Sequence, residues 1–206
     1  MLLRAHIWRR SGYFGKQYNG VGNTLQEAKS VDFLKDVTIV FTWLLDGASC
    51  LPNAMSVCPG LIAVNAEWAA RLVLVGDDTV KKVFRFTMGH EMVHQSGDYV
   101  FLEAFTKDRR FVNWVNEVHA DFGGAELAFS GNVNDAIMSI CYKAKDYEVD
   151  KDHQVHPSWK RREDYLRNLM FDDNLIKRIA TDVGCSNKPL IDKVCSYYQP
   201  IKLKED

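Results

Sequence analysis

The sequence has little net charge and no long run of like charges. It contains 26 lysine and arginine residues against 27 aspartate and glutamate residues, which gives a net charge of −1. A protein that binds nucleic acid by bulk charge, or a polybasic membrane anchor, needs a clear excess of positive charge. The charge balance argues against both classes, and we expect no nucleic acid among the partners.

Long apolar segments are also missing. A membrane-spanning helix needs roughly 18 or more consecutive apolar residues. The segment 37–45 is too short, and 61–75 is interrupted by Asn65, Glu67 and Arg71. The N-terminal segment has no apolar core of signal-peptide length followed by small residues. We therefore expect a soluble, cytoplasmic protein without a membrane span.

Cysteines are few and odd in number. The five cysteines include no Cys-x-x-Cys pair, which disfavours a disulfide scaffold, a zinc ribbon and a thioredoxin-like site. Cys50 with Cys58, and Cys185 with Cys195, could each close a short loop in an oxidising compartment. Buried free thiols are the alternative that the composition favours.

The composition that remains is that of one globular domain, with 206 residues of which 47% are hydrophobic. Segment 37–45 is rich in β-branched and aromatic residues and ends at the turn pair 46–47, which predicts a buried strand. Segment 51–59 reads as a loop because it contains two prolines, and 61–64 follows as a second short strand. Strands come first and helices follow, an order that predicts an α+β fold.

Helices are predicted over most of the rest of the chain. A short helix at 24–35 begins with capping-box spacing. A deeply buried helix at 77–96 begins at two aspartates, ends before Gly97 and has apolar residues at helical spacing. Further helices are predicted at 111–129, at 133–144 and over most of the C-terminal tail.

The helix at 77–96 carries the H-E-x-x-H pattern, with His90, Glu91 and His94. The two histidines lie one turn apart on one face, about 40° apart in azimuth and ~6 Å along the axis. Imidazoles with this spacing can bind one Zn²⁺, and Glu91 beside them can accept a proton from a metal-activated water. Because the pattern falls within an independently predicted helix, we favour a metal site over a chance match.

A catalytic zinc site needs a third protein ligand and one open position. The helix at 111–129 offers Glu117 and Asp121, which are four residues apart and share a face. We predict that Glu117 is the third ligand and that Asp121 accepts the far N–H of a zinc-bound histidine. His119 points about 200° away from Glu117. It is therefore a less favoured candidate than Glu117 for the third ligand. We expect it to pack or to form hydrogen bonds on the opposite face.

These motifs resemble those of the CAAX-protease/HtpX family of zinc endopeptidases, within the gluzincin clan. Four segments match the family pattern in order. They are Pro52-Asn53-Ala54-Met55 with 59–64, the metal helix around 90–94, Glu117-x-x-Ala120-Asp121, and His156-Pro157-Ser158 with Arg162 and Leu166.

The resemblance implies a zincin-like fold, in which a small sheet packs on a central metal helix and on further helices. An edge strand at 61–64 would line the active-site cleft. His90, His94 and Glu117 would bind one Zn²⁺ per chain, and Glu91 would act as the general base of a peptidase.

The resemblance also assigns roles to residues outside the two helices. His156 would stabilise the oxyanion, Arg162 would brace the site against Glu117, and Asn53 would bind the substrate backbone. The strand residues that would pair with the substrate are Leu61, Ile62, Ala63 and Val64. Without the resemblance, Asn53 reads as a turn residue and His156 as an exposed loop residue, like the neighbouring His153.

On this basis we predict a single zinc metallopeptidase domain over residues 1–206. It would comprise an irregular N-terminal arm at 1–24, a catalytic core at 50–166 and C-terminal helices at 167–206. A peptide or protein substrate is the expected partner. Most familiar members of the family are embedded in a membrane, so the absence of spans argues against a membrane or prenylated substrate.

Two alternatives remain. The segment Arg85-Phe86-Thr87 before the metal motif is similar to that of the ImmA/IrrE regulatory metallopeptidases, although that group usually lacks the H-P…R segment. The second alternative is a non-catalytic regulator or interaction module that retains the metal site. Glu91 weighs against this second alternative, because a purely structural metal site has no use for that carboxylate.

Overall fold

The computed structural model describes five stretches of the chain. They are residues 37–42, 54–75, 77–99, 108–145 and 149–205. The predictions for the arm at 1–24, the helix at 24–35, Cys50 and Asn53 lie outside these residues. The four cysteines within them are present as thiols, so Cys185 and Cys195 are not joined by a disulfide.

The described residues form a mixed α and β fold that is mostly helical and has a small sheet, which confirms the predicted class. The elements in chain order are β1 (Thr38–Thr42), β2 (Ala54–Cys58), β3 (Leu61–Asn65), α1 (Ala66–Val75), α2 (Asp78–Gly97), α3 (Arg109–Phe129), α4 (Val133–Ala144), α5 (Trp159–Leu166), β4 (Met170–Phe171), α6 (Asp173–Val183), α7 (Lys188–Tyr197) and β5 (Ile201–Lys202).

The larger sheet has the strand order β1-β3-β2 among the described residues. β3 pairs with β1 in parallel and with β2 antiparallel over its length. β2 and β3 are joined by a tight turn in which Gly60 adopts a φ of 81°, a conformation that favours glycine. β3 is therefore the middle strand, and the prediction that 61–64 forms an edge strand is wrong. The error arose because the outer strand, β2, lies in the segment that its flanking prolines made look like a loop.

β3 leads directly into α1, a helix that the sequence did not predict. The Asn65 side chain accepts hydrogen bonds from the backbone N–H groups of Glu67 at 3.0 Å and Trp68 at 3.1 Å. These bonds satisfy N–H groups that have no partner within the helix. The Trp68 ring stacks on Phe84 of α2 with centroids 5.7 Å apart, which fixes α1 against α2.

α2 confirms the helix predicted at 77–96. Its N-cap is Asp77, whose side chain accepts a hydrogen bond from the Val80 N–H at 2.9 Å. The helix separates two apolar clusters, one on the sheet side and one among the later helices. It contributes Val83, Phe84, Met88 and Met92 to the first and Phe86 to the second. Burial on several faces was expected, and it makes α2 the central helix of the described fold.

The later helices agree with the sequence pattern. α3 begins two residues before the predicted 111–129, and α4 has the predicted bounds of 133–144. α6 ends at Gly184, which has a φ of 74°, and α7 begins with Pro189 in its first turn. No helix in the described part of the chain is both long and apolar enough to cross a bilayer.

Candidate metal centre

Three potential ligand atoms converge where α2 crosses α3. The two imidazole Nε2 atoms of His90 and His94 lie 3.1 Å apart. The Glu117 carboxylate from α3 faces both, with Oε2 3.5 Å from His90 Nε2 and Oε1 3.6 Å from His94 Nε2. Among the described residues, these three side chains form a group whose donor atoms lie close enough together to hold one metal ion.

The separations fit a small tetrahedral ion. Bonds of about 2.0–2.1 Å at tetrahedral angles place neighbouring ligand atoms about 3.3 Å apart. The observed values of 3.1, 3.5 and 3.6 Å bracket that spacing. Two imidazoles and one carboxylate also match the donor types of a catalytic zinc site. The three residues therefore fit zinc in both chemistry and spacing.

The far nitrogen of His90 is held by a buried carboxylate. His90 Nδ1 lies 2.9 Å from Asp121 Oδ1, the partner predicted for a zinc-bound histidine. Arg162 Nε in turn donates to Asp121 Oδ2 at 2.7 Å, and its Nη2 bonds the other oxygen of the same carboxylate. With its Nδ1 proton directed to Asp121, the neutral imidazole of His90 would present its Nε2 lone pair to a metal ion.

Sequence reasoning missed the equivalent partner of His94. Asp98 follows the last turn of α2, and both of its carboxylate oxygens lie 2.9 Å from His94 Nδ1. The signal was present in the sequence, because Asp98 is four residues after His94 and such pairs share a helix face. Both candidate zinc histidines thus have an acidic partner on the nitrogen that points away from the site.

These contacts shift the pKa values of the buried groups in opposite directions. Burial alone would lower the pKa of His90, but the hydrogen bonds with Asp121 and Glu117 raise it to about 9. Burial alone would raise the pKa of Glu117, but hydrogen bonds from His156 and His90 hold it well below its usual value. The pKa of Asp121 is likewise lowered against the effect of burial, chiefly by Arg162. At neutral pH the metal-free site therefore contains ionised carboxylates and a protonated His90.

Glu91 lies beside the ligand group and is not part of it. Its side chain is buried, and Oε2 accepts a hydrogen bond from the backbone N–H of Ser56 on β2 at 2.7 Å. One turn later, Gln95 accepts a bond from the Gly60 N–H at 2.6 Å and donates to the carbonyl of Cys58 at 3.0 Å. The hairpin of β2 and β3 is thus attached to α2 at two points.

His156 approaches the ligand group from a loop. Its Nδ1 lies 3.3 Å from Glu117 Oε1, while 54% of its side chain remains exposed. Two aspartates hold the loop to the start of α5: Asp150 accepts from the backbone of Trp159 at 2.7 Å, and Asp152 accepts from that of Ser158 at 2.9 Å. His156 is therefore the one imidazole beside the ligands that is open to solvent among the described residues.

The remaining candidates take other positions. His119 points away from the ligand group and packs on Tyr198 and Phe171, with ring centroids 4.3 and 5.2 Å away, as expected. Burial lowers its pKa to about 4. His153 stays in the loop, where its N–H donates to the His156 carbonyl at 2.9 Å. Arg162 reaches Glu117 only at 3.7 Å and binds mainly to Asp121.

The predicted substrate-binding strand is not available for pairing. The main chain of Leu61, Ile62, Ala63 and Val64 is paired with β1 on one side and with β2 on the other. An incoming peptide needs unpaired N–H and C=O groups along a sheet edge. β2 has β3 on one side only within the described sheet, and its residues Met55 and Val57 are 43% and 47% exposed.

Glycines permit the close crossing of α2 and α3 that brings the ligands together. A Cβ atom on Gly124 would lie 2.9 Å from the His90 backbone nitrogen, and one on Gly89 would lie 3.0 Å from the Gly124 carbonyl oxygen. Both contacts involve backbone atoms, which cannot move without shifting a helix. The close approach of the two helices explains the glycine at position 124.

Replacing Gly124 with alanine should therefore separate the two helices. We expect a loss of about 1–3 kcal/mol in the free energy of unfolding, the usual cost of overpacking. Zinc affinity should fall as well, because Glu117 would move relative to the two histidines. Urea unfolding and zinc titration of the same variant measure the two effects.

Gly184→Ala provides the control for Gly124→Ala. A Cβ atom on Gly184 would have nothing within 4 Å, but the φ of 74° at this position makes any side chain unfavourable. The substitution should therefore lower stability while leaving zinc affinity unchanged. Equal zinc affinity in Gly124→Ala and the wild type would contradict the role given to the helix crossing.

Comparison with protein-family models, with curated proteins and with solved structures finds no match for this chain. The two histidines and one glutamate form a candidate site for one metal ion.

Proposed function

We propose that this protein is a zinc-dependent endopeptidase that uses Glu91 as general base. The observation that carries the proposal is the convergence of His90, His94 and Glu117 at spacings that suit one tetrahedral ion. The buried carboxylate of Glu91 adjoins this group without belonging to it. A structural zinc site uses four protein ligands, whereas three ligands beside a free carboxylate are typical of hydrolytic sites.

Zinc bound by these three residues would supply Lewis acidity and would lower the pKa of a coordinated water to about 7. Glu91 would accept the proton of the attacking water and donate it to the leaving amine. The Ser56 N–H, at 2.7 Å from Glu91 Oε2, orients the carboxylate for this role.

His156 supports the proposal as a donor for the developing oxyanion. Its imidazole adjoins Glu117 yet stays largely exposed, so a substrate carbonyl beside the ligand group can reach it. A donor that is already oriented toward developing charge stabilises a transition state without further reorganisation. Asp121 and Arg162 act through His90, whose ring orientation they fix.

The substrate peptide would pair with β2, not with β3. The Ser56 N–H is directed to Glu91 and not to β3, so the outer edge of β2 adjoins the general base. A peptide extended along this edge would add a strand by main-chain hydrogen bonds, and its scissile bond would lie near Glu91.

The proposed zincin-like arrangement is that of the CAAX-protease/HtpX family, which the four sequence motifs resemble. An ImmA/IrrE-like regulatory peptidase would use the same chemistry on a different substrate. A non-catalytic regulator would need the metal ligands but not Glu91. The buried position of Glu91 beside the ligands favours a peptidase over this last alternative.

Metal content tests the proposed zinc site. Protein purified without chelators should contain about one zinc ion per chain by elemental analysis. His94→Ala should lose the metal on dialysis, whereas His153→Ala, which removes an exposed loop imidazole, should retain it. A wild-type protein that fails to bind zinc, or a His94→Ala variant that binds it equally well, would contradict the assigned ligands.

The raised pKa of His90 adds a pH dependence to zinc binding. Below its pKa of about 9 the imidazole is protonated in the metal-free protein and cannot ligate. Deprotonation of His90 alone should therefore raise the apparent zinc association constant about tenfold per pH unit, up to a pH of about 9. Competition with a chromophoric chelator at several pH values, corrected for protonation of the chelator, measures the slope.

A further inference from the structure

α4 packs against α2. Near the starts of the two helices, Lys82 Nζ bonds Asp135 Oδ1 at 2.6 Å. Near the end of α4, Tyr142 packs on the sheet-side cluster, to which α2 contributes residues from Val80 to Met92. The ion pair and the shared cluster both join α4 to α2.

Lys143 and Glu91 lie at similar distances along their helices from the Lys82–Asp135 pair. Counted from the Lys82–Asp135 pair, Glu91 lies nine residues further along α2 and Lys143 eight residues further along α4. At 1.5 Å per residue these positions are about 13.5 and 12 Å along their helices. In agreement with these positions, the Lys143 ammonium is close enough to the Glu91 carboxylate for the two charges to interact.

The Lys143 ammonium is held against an aromatic ring and has no acidic partner in the described parts of the chain. Its Nζ lies 5.3 Å from the centroid of the Trp159 ring, and the Arg162 guanidinium lies 4.6 Å from the same ring. Arg162 is paired with Asp121, and the adjacent Arg161 is paired with Asp152. Within the described residues, Lys143 makes neither a hydrogen bond nor an ion pair.

An unpaired ammonium in this position is energetically unfavourable. Burial, together with the nearby positive charge of Arg162, lowers the pKa of Lys143 to about 8. The carboxylates of Glu91, Asp121 and Glu117 oppose this shift, but none of them lies within ion-pair distance of the ammonium. At neutral pH the group remains mostly protonated, so an anion entering the site would gain a partner that is already positioned.

We propose that Lys143 binds a carboxylate of the substrate next to the scissile bond. The inference rests on the proposed peptidase function and adds a substrate class to it, namely peptides with an acidic group at this position. The carboxylate can be an aspartate or glutamate side chain, as suits an endopeptidase, whereas a preference for a free C-terminus would make the enzyme a carboxypeptidase. Because the Ser56 N–H of β2 bonds the Glu91 carboxylate, a peptide along β2 would pass close to Glu91, and Lys143 is near enough to Glu91 for the two charges to interact.

The decisive experiment measures selectivity with matched peptides. Internally quenched peptides would carry one glutamate, or glutamine in its place, at each position in turn, and each would be made with a free or an amidated C-terminus. Wild-type protein should prefer the acidic member of one pair by about 10- to 100-fold in kcat/KM, as expected for a charged hydrogen bond. The pair that shows the preference identifies the source of the carboxylate.

Variants connect this preference to Lys143. In Lys143→Met the ratio between the acidic and neutral members should fall close to one, and in Lys143→Arg it should be largely retained. Lys145→Met removes an exposed lysine two residues away and should retain the wild-type ratio. A Lys143→Met variant that keeps the wild-type ratio, with both peptides slowed equally, would overturn the proposal and would indicate that Lys143 acts on Glu91. A wild-type protein with no acidic preference would also overturn it.

A binding measurement separates this proposal from the proposed function. Fluorescence anisotropy of labelled glutamate and glutamine peptides reports affinity without requiring cleavage. Acidic preference in binding that is lost in Lys143→Met would support the carboxylate site even if no peptide were hydrolysed, and only the peptidase proposal would then fail. Equal binding of both peptides by the wild type would overturn the carboxylate site even if cleavage were observed.

Discussion

Replacing Glu91 with glutamine should reduce kcat for peptide cleavage by about 1000-fold while zinc stays bound. General base catalysis typically contributes between about 10²- and 10⁴-fold to the rate, and a carboxamide cannot accept the proton. Glutamine has nearly the same shape, and its amide oxygen can still accept the Ser56 N–H that Glu91 accepts at 2.7 Å. Because Glu91 is not among the three ligand residues, the metal content should not change.

The measurement compares zinc content and cleavage of a random peptide library in the same preparations. Glu67→Gln is the matched control, because it makes the same chemical change at an exposed position on α1 and should leave both quantities at their wild-type values. Full activity in Glu91→Gln would exclude the general-base role. A zinc-loaded wild-type protein that cleaves no peptide would instead favour the non-catalytic regulator.

Replacing Arg162 with methionine should cause the largest loss of stability. Arg162 and Asp121 are 6% and 1% exposed. They form a bidentate ion pair in which Arg162 Nε donates to Asp121 Oδ2 at 2.7 Å. Removing the guanidinium leaves the Asp121 carboxylate buried without its main counter-charge, which typically costs about 3–5 kcal/mol. The free energy of unfolding in urea, measured on metal-free protein, should fall by that amount.

Arg161→Met is the control within the same helix. Arg161 makes a similar bond to Asp152, at 2.8 Å between Nη2 and Oδ2, but both side chains are partly exposed. Water can replace a partner there, so the expected loss is below about 1 kcal/mol. A loss in Arg162→Met no larger than that in Arg161→Met would show that the buried pair contributes little to the fold.

The sequence predicts those parts of the site that depend on local spacing. His90 and His94 had to share a face once the periodicity at 77–96 predicted a helix, and the same reasoning related Glu117 to Asp121. Asp98 lies at the same four-residue spacing from His94 and was missed because the H-E-x-x-H pattern ends at the histidine. The approach of the two helices depends on Gly89 and Gly124, whose effect is visible only when α2 and α3 are packed together.

The order of the strands was beyond local reasoning. A strand at 61–64 could be predicted from its apolar residues, but its neighbours are determined by pairing with segments elsewhere in the chain. β2 has exposed Met55 and Val57 and lies between prolines, so neither burial nor propensity indicated a strand. The same non-local packing brings Lys143 beside Glu91, a relation that no spacing rule within one helix could suggest.

The attachment of the hairpin to α2 has a consequence for how the site can move. Glu91 and Gln95, one turn apart, both bind the segment from Ser56 to Gly60. The helix that would carry the catalytic carboxylate and the strand that would align the peptide therefore move together as one piece. Fraying of the last turn of α2 would remove the Gln95 attachment, and the strand would then be held to this helix through Glu91 alone.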